Sequence, residues 1–145
     1  RPLSLWVRKK IQKVPWEIRC ASIEGMGAIV IDATITRQEL AAMAEQQFGN
    51  LVKAVVDVER GIMAIGGELH ADEEALLLEQ GSKQAHLWGV NLYPAKPAED
   101  WIEFDSMVNV RPSQGNFSRG IEDPTIRQQI REVVTNLVSE HARAA

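Results

Sequence analysis

Three residues with metal-binding side chains alternate along one short segment of the sequence. Glu68, His70 and Asp72 are spaced two positions apart. Because side chains two residues apart leave the same face of a β-strand, an extended segment here would present all three together. Carboxylate oxygens and an imidazole nitrogen suit a divalent ion such as Zn²⁺, Mn²⁺ or Fe²⁺. The spacing therefore predicts a metal site of the kind that a small metal-dependent hydrolase uses.

Glu103 and Asp105 repeat this alternating arrangement further along the chain. If the two segments are neighbouring strands, these carboxylates complete the coordination sphere of the same ion. The segment lacks the paired histidine spacing that is typical of metalloproteases. The alternative interpretation is an acidic, solvent-exposed rim in which Asp72 caps the following helix.

A polar loop before the last predicted helix has the side chains expected of an anion site. The free N–H groups and the dipole at the start of a helix favour a phosphate or carboxylate group. Acidic residues already lie at this helix start, so a turn held by local hydrogen bonds is the alternative. The candidate ligand-binding residues are Arg111, Ser113, Asn116, Ser118 and Arg119.

The composition indicates one folded domain and excludes several classes of protein. With 145 residues, 45% of them hydrophobic and 25% charged, the chain has the length and apolar content of a single globular domain. Cys20 is the only cysteine, so multi-cysteine metal sites are excluded and a reducing compartment, the cytoplasm, is expected. No segment approaches the roughly 18 to 20 apolar residues of a membrane-spanning helix.

The charge is distributed unevenly along the chain. Residues 1–25 contain six basic and two acidic residues, whereas the remainder holds ten of the 16 basic and 18 of the 20 acidic residues. We therefore expect a basic, flexible N-terminal extension over residues 1–25 and one domain over residues 26–145. Because an acidic domain repels a phosphate backbone, nucleic acid is disfavoured as a partner.

The elements that must position the candidate residues follow from hydrophobic periodicity. Residues 27–35 are predicted as a strand, and Thr36 and Glu39 have the spacing of a capping box that begins a helix. Residues 51–60 and 61–70 are predicted as a hairpin that turns at Gly61. A short helix over residues 72–80 follows.

Residues 86–94 and 101–112 are predicted as a second hairpin, because polar and apolar residues alternate from Ile102 to Arg111. Asp123 and Pro124 then provide the cap and the first residue of a last helix. The resulting order, β-α-β-β-α-β-β-α, predicts an α+β fold. We expect a single domain in which helices pack on about five mainly antiparallel strands.

Four segments of the chain resemble a small prokaryotic protein family known only as a domain of unknown function. They are EQQFGNLVKAVVDVERG, GGELHADEEALLLEQGSKQ, LWGVNLYP and WIEFDSMVNVRPSQGN. The resemblance extends from about Thr36 to Leu137. Family members begin near the position of Met26 here, which agrees with the expected boundary, and the resemblance implies no activity.

Two classes of function remain open. The first is a binding or interaction module, monomeric or a homo-oligomer, that recognises a small anion or a partner protein. The second is a small hydrolase with a metal at Glu68, His70 and Asp72. The chain has only three histidines and no established catalytic spacing, which favours the binding module. No cofactor other than the hypothetical metal is indicated.

Overall fold

The computed structural model describes residues 27–140, and the extension predicted over residues 1–25 lies outside them. The described residues form three α-helices and seven β-strands. The strands are β1 (Ile29–Ile31), β2 (Ile35–Thr36), β3 (Val52–Asp57), β4 (Ile62–Ile65), β5 (Leu87–Leu92), β6 (Ile102–Glu103) and β7 (Val138–Ser139). The helices are α1 (Arg37–Gln46), α2 (His70–Glu79) and α3 (Pro124–Leu137). None of these helices has the length and apolar character needed to cross a lipid bilayer.

The larger sheet contains five antiparallel strands in the order β1-β4-β3-β5-β6. Its central strand β3 pairs with β5 over its whole length, from Val52 opposite Leu92 to Asp57 opposite Leu87. This arrangement confirms the predicted α+β class and the mainly antiparallel sheet.

α1, α3 and the first hairpin begin where local sequence signals predicted them, whereas α2 begins at His70, two residues before its predicted start, and has no side-chain cap. The Thr36 hydroxyl accepts from the Glu39 N–H, and the Glu39 carboxylate accepts from the Thr36 N–H, both at 2.9 Å. Asp123 accepts from the Thr125 N–H at 2.8 Å at the start of α3. Gly61 adopts φ +69° in the turn between β3 and β4, a backbone conformation that glycine adopts without strain.

The five-stranded sheet is covered on both faces. Successive residues of a strand point to opposite faces. Ala54 and Val56 therefore pack in the larger apolar core with residues of α1 and α3, whereas Val55 packs in a smaller core with Leu77 of α2. Burial of both faces is the main source of stability for a sheet of this size.

The second hairpin is shorter than predicted, because the strand expected over residues 101–112 ends at Glu103. 3₁₀ turns at Met107–Asn109 and Pro112–Gln114 replace it. The Asn109 amide accepts from the Gly89 N–H at 2.8 Å and donates to the Gly89 carbonyl at 2.9 Å, so one side chain takes the place of a strand partner. A Cβ at Gly89 would lie 2.7 Å from Ser106 Cβ, so only glycine allows this approach.

The strand predicted over residues 27–35 is interrupted after β1, and its last residue begins β2, which pairs with β7 in a second, parallel sheet that the sequence pattern did not predict. Ile35 of β2 lies opposite Val138 of β7. Beside them, the Arg37 guanidinium donates to Glu140 at 3.0 and 3.2 Å and lies 4.1 Å from the centre of the Trp101 ring. The segment that follows β1 is therefore joined to the C-terminal end of the described chain.

Candidate functional site

The residues predicted to bind a metal do not share a strand face. β4 ends at Ile65, and His70 is the first residue of α2. Glu68 is exposed in the preceding loop, whereas His70 is buried. Within residues 27–140, no group of three or more His, Cys, Asp or Glu side chains is arranged to hold a metal ion. The geometry therefore does not support coordination by Glu68, His70 and Asp72.

Glu103 and Asp105 have protein partners. Glu103 lies at the end of β6 and accepts from the Asn91 amide at 2.9 Å and the Tyr93 hydroxyl at 3.0 Å. Asp105 accepts from Arg119 at 2.6 Å. Of the four predicted carboxylates, Asp105 alone acts electrostatically on His70, so the structure does not assemble the predicted set around the imidazole.

The guanidinium group of Arg111, in the predicted anion loop, forms its hydrogen bonds within the protein. Its guanidinium donates to the backbone carbonyls of Val108 at 3.0 Å, Gln84 at 2.7 Å and Leu87. It also lies 4.2 Å from the centre of the Trp88 ring. Because these groups engage all three guanidinium nitrogens, Arg111 joins the loop to the start of β5.

The other four loop residues do not converge on one open site. Asn116 is buried, and its amide donates to the carbonyls of Asn109 and Gly120, each at 2.7 Å. Ser113, Ser118 and Arg119 are exposed, and the Arg119 guanidinium pairs with Asp105. This loop therefore serves as the packed support of β5, as its internal hydrogen bonds indicate.

A different set of polar side chains meets where α2 crosses the sheet. The buried stripe of α2 consists of His70, Glu73 and Leu77, which lie on one helix face because they are three and four residues apart. Leu77 packs in the smaller apolar core. Two ionisable residues therefore occupy the N-terminal end of a stripe that is usually apolar.

Strands β3, β5 and β6 supply the polar residues beneath this end of α2. Lys53 lies opposite Asn91, and Asn91 lies opposite Glu103. Lys53 acts electrostatically on both His70 and Glu73, and Asp105 acts on His70. We call this group the polar cluster, and its members are Lys53, His70, Glu73, Asn91 and Asp105.

His70 is held in one tautomer. Its Nε2 lies 2.8 Å from the Val90 carbonyl oxygen, and since a carbonyl only accepts, Nε2 carries the ring proton. Burial lowers the pKa of His70 below 6.5, and the charges of Lys53 and Arg119 lower it further, against the opposing effects of the Val90 carbonyl and Asp105. Nδ1 has no hydrogen-bond partner among the described residues.

Glu73 and Asn91 are buried with unused hydrogen-bonding capacity. Glu73 is fully buried and accepts from the Gly67 N–H at 2.8 Å with one oxygen. Burial raises the pKa of Glu73 well above 4.5. The enclosed side-chain atoms without a partner in residues 27–140 are Gln47 Oε1, Glu73 Oε1 and Asn91 Oδ1. Two of these three atoms belong to the polar cluster, and His70 Nδ1 is not among the enclosed atoms.

A surface groove of about 580 Å³ lies beside the polar cluster. Tyr93, Lys96, Asp100 and Glu103 are among the residues that line it. Glu103 belongs to the groove wall and also accepts from Asn91 of the polar cluster. The groove and the cluster are therefore adjacent.

The sequence analysis did not select Lys53, Glu73 or Asn91. The available signal was the spacing of His70, Glu73 and Leu77, which places two ionisable residues in the apolar stripe of a helix. The prediction of a strand over residues 61–70 concealed this signal, because it placed His70 on a strand and not on the helix that contains Glu73 and Leu77.

Residues 29–137 match a family described as "Protein of unknown function (DUF5674)". The chain belongs to this family. The match confirms the resemblance seen in the sequence, and all five residues of the polar cluster lie within the DUF5674 region. The family description states no activity. No curated protein and no solved structure matches the chain significantly.

Proposed function

We propose that this chain is a binding module for a small polar molecule and that the polar cluster is its binding site. The observation that carries the proposal is the pair of enclosed, unpartnered oxygens, Glu73 Oε1 and Asn91 Oδ1. Buried polar atoms are nearly always hydrogen-bonded, and leaving one unpaired costs about 1–3 kcal/mol. A bound molecule that forms hydrogen bonds with these atoms recovers that free energy.

The free atoms of the polar cluster define the chemistry of the molecule. Asn91 Oδ1 and His70 Nδ1 are acceptors, so the molecule supplies N–H or O–H groups. Lys53 forms no ion pair within residues 27–140 and lies 5.2 Å from the centre of the Phe48 ring, so its ammonium group attracts a negative or partly negative atom. An amide, a carboxylic acid or a small hydroxy acid combines these features.

NMR titration of the full-length protein with acetamide, acetate and inorganic phosphate tests the proposal. We expect acetamide to shift the backbone amide signals of Gly67, His70 and Asn91, because it carries both a donor and a carbonyl. The variant Asn91→Ala should lose these shifts, whereas Asn136→Ala, an exposed site on α3, should keep them. Shifts that survive in Asn91→Ala, or no shift with any probe at millimolar concentration, would contradict the proposal.

A further inference from the structure

We propose that His70 is a general base that activates water for the hydrolysis of a carboxylic ester or a related acyl compound bound at the polar cluster. This inference rests on the proposed binding function and names a substrate class for the same site. It stands on the fixed orientation of the ring, on Nδ1, which has no hydrogen-bond partner within residues 27–140, and on the Lys53 ammonium group, which forms no ion pair within those residues.

The tautomer of His70 leaves one atom able to receive a proton. The Nε2 proton is donated to the carbonyl of Val90, a fully buried residue in the middle of β5. A ring held in this way by a rigid strand presents Nδ1 in a constant orientation, which general-base catalysis requires. His70 as a whole is 9% exposed, and Nδ1 is not among the fully enclosed atoms.

The charges around His70 keep the ring neutral at pH 7. Lys53 on β3 and Arg119 on the loop after β6 oppose a positive charge on the ring, and so does burial. Asp105 on the same loop favours a positive charge, but its carboxylate is already paired with Arg119. Burial raises the pKa of Glu73 on α2 well above 4.5, which favours the uncharged form of this neighbour. The unprotonated form that accepts a proton is therefore the populated form.

The hydrolytic step requires only water and the substrate. The water oxygen attacks the acyl carbon while one water proton passes to Nδ1, giving an imidazolium ring and a tetrahedral oxyanion. The Lys53 ammonium stabilises the negative charge that develops on the former carbonyl oxygen. As the intermediate collapses, the bond to the alcohol oxygen breaks and Nδ1 returns the proton to that oxygen, which yields a carboxylic acid and an alcohol.

Hydrolysis of p-nitrophenyl acetate by the full-length protein tests this step. We expect turnover above the buffer rate, with a rate that rises with pH through a single pKa below 6.5 and then levels. His70→Gln keeps a side-chain donor for the Val90 carbonyl but has no base, and it should lose at least tenfold in rate. His86→Gln, outside the polar cluster, should keep the wild-type rate and pH profile.

Two further measurements separate the ways in which the proposal can fail. If acetamide binds but the ester is not hydrolysed, the catalytic role is overturned and the binding function stands. If the protein neither binds acetamide nor hydrolyses the ester, both proposals are overturned. The ¹⁵N shifts of the His70 ring in the wild-type protein should report a neutral Nε2–H tautomer at pH 7. A charged ring, or an Nδ1–H tautomer, would overturn the proposal even if His70→Gln does not fold.

Discussion

The buried polar side chains of residues 27–140 include two contrasting kinds. Asn109, Arg111 and Asn116 donate to several backbone carbonyls, so each replaces hydrogen bonds that an irregular loop would otherwise lose. Glu73 and Asn91 are equally enclosed but retain an unpaired oxygen. The first kind stabilises the loop that follows β6, and the second kind is the basis for proposing a binding site.

The ionisation of Glu73 should make the stability of the protein depend on pH. Because burial raises the pKa of Glu73, the native state binds this proton more tightly than the unfolded chain does. The free energy of unfolding contributed by Glu73 is therefore fully present below pH 4.5 and falls as pH rises towards the folded-state pKa. Glu73→Gln removes this titration and keeps an acceptor for Gly67.

Urea unfolding at pH 5 and pH 8 measures this effect. Relative to wild type, Glu73→Gln should gain about 1 kcal/mol or more between the two pH values, since one pKa unit corresponds to about 1.4 kcal/mol. Glu79→Gln, an exposed site on the same helix, should show no such gain. Equal pH dependence in wild type and Glu73→Gln would mean that Glu73 ionises normally in the folded protein.

The two arginines of the polar loop should differ in their effect on stability. Arg111→Gln leaves the carbonyls of Val108, Gln84 and Leu87 without their donor and removes the contact with Trp88. We expect a loss of about 2–4 kcal/mol, mainly from the buried unpaired groups. Arg119→Gln breaks an exposed ion pair and should cost about 0–1 kcal/mol.

Denaturant unfolding of these two variants at pH 7 provides the comparison. A small and equal loss in both would show that the Arg111 guanidinium does not hold the loop and is free to meet an anion. The larger loss for Arg111→Gln would instead identify this residue as part of the architecture.

The predictability of each element depends on how local its determinants are. The capping box of Thr36 and Glu39 spans four residues, and the turn at Gly61 depends on one, so both are readable from the sequence. The end of β6 depends on Asn109, whose side chain bonds to Gly89, 20 positions away. Alternation alone gives no sign of such a contact, so the predicted strand continued too far.

The contact between Asn109 and Gly89 should control how firmly the loop is held to β5. Asn109→Ala removes the acceptor for the Gly89 N–H and the donor to the carbonyls of Gly89 and Arg119. We expect a loss of about 2–3 kcal/mol and faster hydrogen exchange at the Gly89 amide. Asn136→Ala on α3 provides the control, and unchanged protection of Gly89 would show that another contact holds the loop.

At the scale of the whole molecule, the polar cluster likewise depends on contacts between residues that are far apart in the sequence. Its residues come from β3, α2, β5 and the loop after β6, and they meet only because the strand order places β3 between β4 and β5. His70 was selected from the sequence for its side-chain type, but Lys53 and Asn91 resemble ordinary polar positions on partly covered strands. Strand order was not predicted, so the site was not predicted either.

The predicted domain boundary at Met26 leads to a test on the whole chain. The family match covers residues 29–137, which contain the whole of the smaller apolar core and all of the larger one except Val138. A truncated protein beginning at Met26 should unfold within a few degrees of the thermal midpoint of the full chain, because it keeps every residue that the structure places in the two apolar cores. A large decrease in midpoint would show that residues 1–25 contribute to the stability of the domain.

The parallel β2–β7 pair makes the fold unusual in its response to force. Arg37 and Glu140 are 103 residues apart in sequence, and bringing such distant positions together has a large chain-entropy cost. The pair is thus expected to close late in folding, after the antiparallel sheet has formed. A load applied between residues 35 and 140 acts directly on these two short strands, before it reaches the five-stranded sheet. Single-molecule pulling should therefore show a small early increase in extension, when β7 separates from β2, before the rest of the domain unfolds.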